Sequence, residues 1–219
     1  MSDHDPGDGL HHHVPHSKQP DLEDQALSYY QTMALAVSEL LIDKNILSAE
    51  EFRAQYEVMD NTVPALGARL VVRAWRDRDF KARMLKSVNE AAAEFGVDAG
   101  PIPIKAVENT AKLHNVIVCT LCSCYPRYLL GLPPDWYKSR AYRSRVVREP
   151  RAVLREFGTD IPDHVDLVVH DSTADFRYLV LPLQPDGTDG LSDEALADLV
   201  TRDSMIGVSF PKMPEVTNS

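Results

Sequence analysis

Val118-Cys119-Thr120-Leu121-Cys122-Ser123-Cys124 carries every cysteine of the chain, all three within six residues. A disulfide framework would want an even number of cysteines spread over loops. Three thiols at C-x-x-C-x-C spacing can instead close on one metal ion. Structural zinc wants four tetrahedral ligands, usually as two separated pairs. There is no second pair here, and His114, five residues before Cys119, is the nearby candidate for a fourth ligand. An iron–sulfur cluster normally takes four thiolates. Ordinary buried cysteines would not cluster in this way, and Ser123 between two of them suits a core poorly. If Cys122 and Cys124 bind one ion, the backbone nitrogens of Ser123 and Cys124 are forced close to it. Peptide nitrogen binds a metal only when deprotonated, which calls for a strongly Lewis-acidic trivalent ion, cobalt or iron rather than zinc or magnesium. Two equatorial sulfurs, two amide nitrogens and an axial Cys119 sulfur leave a sixth position open for water or substrate. A metal with such a position polarises a bound group or supplies hydroxide near neutral pH.

Working outward, the 219 residues suit one domain with an extension, and an apolar fraction of 44% is enough for a packed core. Acidic residues outnumber basic ones by 33 to 23, giving a net charge of -10 that argues against nucleic acid as a partner. No stretch approaches the roughly 18 unbroken apolar residues of a membrane helix. The first residues lack the apolar segment of a secretory signal, so a cytoplasmic protein with reduced thiols is expected. Residues 1–22 are rich in Asp, Gly, Pro and His and are read as a disordered tail. They hold five of the eight histidines (His4, His11, His12, His13 and His16), open to weak capture of a divalent metal or to no role at all.

From Glu23 to Ile46 the apolar residues Leu27, Tyr30, Met33, Val37, Leu40 and Leu41 follow helical spacing. Ser48 and Glu51 form a capping box for a second helix carrying Phe52, Tyr56 and Met59. Further helices are expected over 65–75 and 79–95, the last ended by Gly96. Residues 23–96 are therefore read as a helical N-terminal arm, 97–110 with Pro101 and Pro103 as a linker, and 111–219 as a layered α/β domain. In that last part, 116–118, 165–169, 176–181 and 206–210 read as strands. Residues 136–157 read as a basic helical stretch that serves either as a solvated face or as an interface. Residues 193–200 read as a helix capped by Ser192.

The sequence around the cysteines resembles the nitrile hydratase alpha subunit. V-C-T-L-C-S-C is similar to that family's metal-binding claw, and the likeness continues through Tyr125-Pro126, the segments 130–139 and 142–147, Gly187-Thr188-Asp189-Gly190 and Thr201–Val208. It also takes in Gly67-Ala68 and Arg73-Ala74-Trp75, and spans roughly residues 25–210. The resemblance implies an α+β fold, an extended helical arm followed by the claw domain, assembled with a beta subunit as a heterodimer or its dimer. It implies Co(III), with Fe(III) as the other ion of the family, because Thr120 matches the cobalt branch where the iron branch has serine. Cys119, Cys122 and Cys124 with the amide nitrogens of Ser123 and Cys124 would be the ligands. Cys122 would be oxidised to a sulfinic acid and Cys124 to a sulfenic acid, and two arginines of the beta subunit would hold their oxygens. A dedicated activator protein would load the metal. The implied reaction hydrates a small nitrile to an amide, with oxygen delivered from activated water or from the Cys124 sulfenate.

The pattern departs from the family at Arg127, where an apolar tryptophan is common, and at His170, where a tryptophan is frequent. Arg127 is similar to the arginine of the related thiocyanate hydrolase gamma subunit, and a guanidinium beside the metal would favour a small anion. Two other readings therefore stand beside nitrile hydration. One is thiocyanate hydrolysis at the same claw. The other is a non-catalytic metal-binding or metal-delivery protein.

Overall fold

The structure is a computed structural model and describes residues 28–60 and 63–214. The His-rich segment 1–22 and Leu27 lie outside the described residues, as do the side chains of Tyr56 and Met59. The chain divides into two units, with the boundary between Phe52 and Arg53.

In the first unit, helix α1 (Tyr29–Asp43) starts at a reciprocal cap. Ser28 Oγ accepts from the Gln31 amide and the Gln31 side chain accepts from the Ser28 amide. None of its residues is buried, although it carries Tyr29, Tyr30, Met33, Leu35, Val37 and Leu40. Helix α2 (Ala49–Asp60), within which the boundary falls, starts at the expected box, with Ser48 and Glu51 exchanging hydrogen bonds of 2.8 and 3.1 Å.

The second unit holds the core. Helix α3 (Pro64–Arg76) has proline in its first turn, where the missing N–H costs nothing, and buries Leu70, Val71 and Val72. The single helix expected over 79–95 is two, α4 (Arg78–Lys86) and α5 (Val88–Ala93). Ser87 is extended between them, and its hydroxyl caps α5 at the Glu90 amide. Phe80, Met84 and Val88 on these helices are fully buried, each contributing about 1.5–3 kcal/mol. The expected arm of 23–96 therefore does not hold together as one piece, because its last three helices belong to the core of the second unit. The expected linker of 97–110 contains strand β1 (Ile104–Glu108). Its prolines exclude a helix but permit a strand that begins after them. Asn89 fixes the entry, donating to the carbonyls of Gly100 and Ile102 and accepting from the Ile104 amide.

Strand β2 (Leu113–Val118) leads into the cysteines. Four short helices follow: α6 (Arg127–Leu130), α7 (Asp135–Lys138), α8 (Arg140–Arg145) and α9 (Pro150–Glu156). The chain then returns through β3 (Asp166–Asp171) and β4 (Arg177–Leu181) to α10 (Asp193–Leu199) and α11 (Arg202–Ile206). Strand β1 pairs parallel with β4, and β2 with β3, so that Val118 stands opposite Asp171. A parallel pair needs a long crossover, which α6–α9 supply. The basic residues of that crossover largely brace it. Arg145 pairs with Glu149 and Glu156, and Arg151 donates to the carbonyls of Ile161, Pro162 and Val165.

Residues 206–210, expected as a strand, instead end α11 and turn. Thr201 and Ser204 form another reciprocal cap, and Gly207 closes the helix at φ +92°. A side chain at Gly207 would collide with the Asn115 carbonyl, so this crossing of α11 over β2 needs glycine. Beside it runs a buried polar chain. His114 Nε2 lies 2.8 Å from the Gly207 carbonyl, and its Nδ1 lies 3.3 Å from Asn109 Nδ2. Asn109 Oδ1 accepts from the Asn115 amide and side chain, and Asn115 Oδ1 lies 2.8 Å from His170 Nε2. Every member is satisfied when His114 is neutral with its proton on Nε2 and His170 donates from Nε2.

Candidate metal centre

The three thiols converge because of where β2 ends. Val116–Val118 run fully buried to Cys119, and the chain then turns back on itself in a loop that brings Cys122 and Cys124 around. Cys119 Sγ lies 3.4 Å from Cys122 Sγ, which lies 3.1 Å from Cys124 Sγ, and all three sulfurs fall within 4.8 Å of one another. No disulfide joins them. Cys119 and Cys124 are buried; Cys122 and Ser123 face outward. The Cys122 amide donates to Cys119 Sγ at 3.3 Å, so the loop already folds around the sulfurs.

The thiols share protons unequally. Hydrogen bonding from Cys124, and then from Cys119 and the loop amides, draws Cys122 down to about 7. Burial, and then the neighbouring Cys122 sulfur, push Cys124 up to about 12, with the Arg177 guanidinium working in the opposite direction. Cys122 thus gives up its proton near neutral pH and Cys124 holds its own, until a cation takes the place of the protons.

The support around the loop is dense. Asp171, at the end of β3, accepts from the Thr120 amide at 2.9 Å and from the Thr120 hydroxyl at 2.6 Å. Tyr137 donates to the Cys124 carbonyl at 2.9 Å, and Tyr142 donates to the Ile117 carbonyl at 2.8 Å. Both tyrosines are buried, and Trp136 packs edge-on against each of them and against Phe157. A cavity of about 330 Å³ opens beside the cysteines, walled by Cys122, Ser123, Cys124, Arg127, Tyr128 and Arg177. Its Tyr128 wall presses on Gly100, where a Cβ would sit 2.5 Å from the ring at φ +82°.

Each sequence-predicted residue is thereby located. Cys119, Cys122, Ser123 and Cys124 come together, and Arg127 lies on the same cavity, its guanidinium 5.4 Å from the Tyr128 ring centre. His114 does not join them, because both of its ring nitrogens are engaged in the buried polar chain. His170 is half-buried against Tyr178 and anchors β3 to β2. Sequence reasoning missed Arg177, Tyr137, Tyr142 and Asp171 as parts of the site. The pairing of Val118 with Asp171, that of Ile104 with Arg177 and the return of the crossover bring them to the cysteines.

The donor set suits a transition metal with affinity for sulfur. Three soft sulfurs stand close together, and the Ser123 and Cys124 amides hydrogen-bond to the Cys122 sulfur. Among the described residues no histidine or carboxylate joins the sulfurs as in a zinc site.

The sequence model of the family described as nitrile hydratase, alpha chain, matches residues 28–209. The chain belongs to this family. It is 49% identical over 181 residues to the low-molecular weight cobalt-containing nitrile hydratase subunit alpha of Rhodococcus rhodochrous, covering 82% of this chain and 87% of that one. The thiocyanate hydrolase subunit gamma of Thiobacillus thioparus is also similar, at 40% identity over 205 residues covering 88% and 84% of the two chains. A solved structure of recombinant thiocyanate hydrolase with partially modified cobalt centres superposes with a TM-score of 0.82 at 40% identity, covering 88% and 94%. As a nitrile hydratase alpha-family fold, the α+β architecture agrees with the expectation from the sequence. Among the described residues no helix is long and apolar enough to cross a membrane.

Proposed function

We propose that this chain is the alpha subunit of a cobalt-dependent nitrile hydratase, adding water across a nitrile to give an amide in complex with a beta subunit. The observation that carries the reading is the convergence of Cys119, Cys122 and Cys124 beside an open cavity, in a chain of this family. In this reading the three sulfurs, with the amide nitrogens of Ser123 and Cys124, hold Co(III), Fe(III) being the alternative ion. Cys122 is carried to the sulfinic and Cys124 to the sulfenic state, and arginines of the beta subunit hold the added oxygens. Bound cobalt supplies a fixed positive centre that polarises the nitrile, the kind of term that usually dominates catalysis. The chain's own residues do the rest. Asp171 and Tyr137 keep the loop in one conformation, and the buried aromatic group of Trp136, Tyr137 and Tyr142 closes the inner side to water. Cys124, with Ser123, presents the reactive edge to the cavity. Hydration forms one carbon–oxygen bond and leaves both protons of the water on nitrogen. A dedicated activator for metal loading and a cytoplasmic location complete the reading.

Thiocyanate hydrolysis is the second reading, favoured by one observation: Arg127 and Arg177 both line the cavity. Two guanidiniums attract an anion more strongly than a neutral nitrile. The experiment offers an aliphatic nitrile and thiocyanate side by side to the cobalt-loaded complex with its beta subunit. Amide formation with little thiocyanate loss is expected. Preferential loss of thiocyanate would replace the first reading by the second. Tightly held cobalt with neither reaction would leave a metal-binding protein only.

A further inference from the structure

On the outer side of the cysteine loop, away from the Arg127 and Arg177 cavity, lies a second hollow of about 540 Å³. It is lined by Thr120, Leu121, Arg140, Arg143, Ser144 and Val147. Its chemistry is unusual for a chain with a net charge of -10, because two guanidiniums and no carboxylate line it. Among the described residues neither Arg140 nor Arg143 forms an ion pair, whereas Arg145, two positions on, has two glutamate partners. The Arg143 Nε is buried without any hydrogen-bond partner, and its Nη1 makes only a long contact of 3.4 Å with the Thr120 carbonyl. A buried donor left unpaired is costly, and an arginine presents Nε and Nη as a fork that fits a carboxylate. The rim is apolar and wet: Leu121 is 86% and Val147 46% exposed. Apolar rim, desolvated guanidinium and missing counter-charge describe half of an interface, not a finished surface.

We propose that this groove seats a carboxylate-bearing, apolar-flanked segment of the second subunit. Its acidic side chain would complete the Arg143 fork, and its apolar neighbours would cover Leu121 and Val147. The inference rests on the reading of the chain as an alpha subunit, and it adds which face binds the partner and by what chemistry. Because Arg143 reaches the Thr120 carbonyl, the contact ties the partner directly to the loop that carries the cysteines. Arg143 acts here as a positioning residue.

The test uses the co-expressed complex and its separated subunits. Subunit affinity is measured for the parent chain and for Arg143→Gln, Arg143→Lys and Val147→Glu, at low and high salt. Hydrogen exchange over 140–147 is followed with and without the partner. Val147→Glu is the safeguard against a folding defect, since that side chain is exposed. Arg143→Gln is expected to weaken association at least 10-fold and to flatten its salt dependence. Arg143→Lys should recover part of the loss, Val147→Glu should weaken association as much, and the partner should protect 140–147. Parent-like affinity in both Arg143→Gln and Val147→Glu, with no protection of 140–147, would overturn the proposal while an active complex kept the alpha-subunit reading intact. Protection of the same residues by the chain alone, as it self-associates, would hand the groove to a second copy and overturn it too. A parent chain that binds no partner would remove the alpha-subunit reading first.

Discussion

Tyr137 holds the cysteine loop by one hydroxyl. It is fully buried, and among the described residues its hydroxyl hydrogen-bonds to the Cys124 carbonyl alone. In Tyr137→Phe the carbonyl loses its donor while the ring packing against Trp136 and Tyr125 survives. The variant should lose about 1 kcal/mol of unfolding free energy in denaturant titration, the net worth of one such bond. It should also release cobalt faster than a variant equally destabilised at a site away from the loop, a separate readout that simple destabilisation would not move. Arg127 is the other residue with a distinct expectation. In Arg127→Trp the cavity loses one of two guanidiniums and gains an apolar wall. Turnover of neutral bulky nitriles should rise relative to thiocyanate by about 10-fold, an effect of about 1.4 kcal/mol on the discriminating barrier. An unchanged ratio would place Arg127 outside substrate contact.

At the scale of elements, β1, β2, β3 and α11 are joined by the polar chain His114–Asn109–Asn115–His170. Burial lowers the pKa of His114, and burial followed by Lys105 lowers that of His170. The unfolded chain therefore binds protons that the folded chain refuses. By linkage, this part of the stability is fully present above the unfolded imidazole pKa of about 6.5 and is lost as pH falls below it. The melting temperature should hold level from about pH 8 to about pH 7 and fall from there towards about pH 5. A rise on acidification would contradict the neutral assignment of both rings. These same elements show what was legible in the sequence. Helix starts at Ser48 and Ser192 were readable because a cap is a local signal, whereas the periodicity read from Glu23 did not mark the cap at Ser28. The cysteine ligands were readable because their spacing is their chemistry. The break at Ser87 was not, since the periodicity of Phe80, Met84 and Val88 runs straight through it. Strand β1 was hidden behind Pro101 and Pro103, and residues 206–210 look strand-like only until Gly207 is set against Asn115. Arg177 and Asp171 gained their place from parallel pairing across more than fifty residues, which no local pattern encodes.

At the scale of the molecule, helix α1 carries Tyr29, Tyr30, Leu35 and Leu40 exposed, and none of its own residues is buried. An amphipathic or wholly apolar surface of that length is stable in water only when something covers it. The isolated 24.5 kDa chain should therefore sediment as a self-associating species at micromolar concentration and become a defined complex when its partner is added. Tyr30→Glu with Leu35→Glu should suppress the self-association. Their effect on the unfolding free energy of the second unit should stay within about 0.5 kcal/mol, as for other surface changes. Equal self-association in that variant would shift the sticky surface elsewhere.

The clamp between Thr120 and Asp171 spans 51 positions of sequence. It therefore imposes an order on biosynthesis. A ribosome adding about 5–20 residues per second releases the cysteines roughly 3–10 seconds before the carboxylate that fixes their loop. Over that interval the three thiols hang on an unclamped segment, open to scavenging by any soft ion or oxidant in the cell. Retention of the proper metal becomes possible only once β3 has been made and has docked. Nascent chains arrested before Asp166 should therefore lose cobalt on gel filtration, and chains arrested well after Asp171 should keep it.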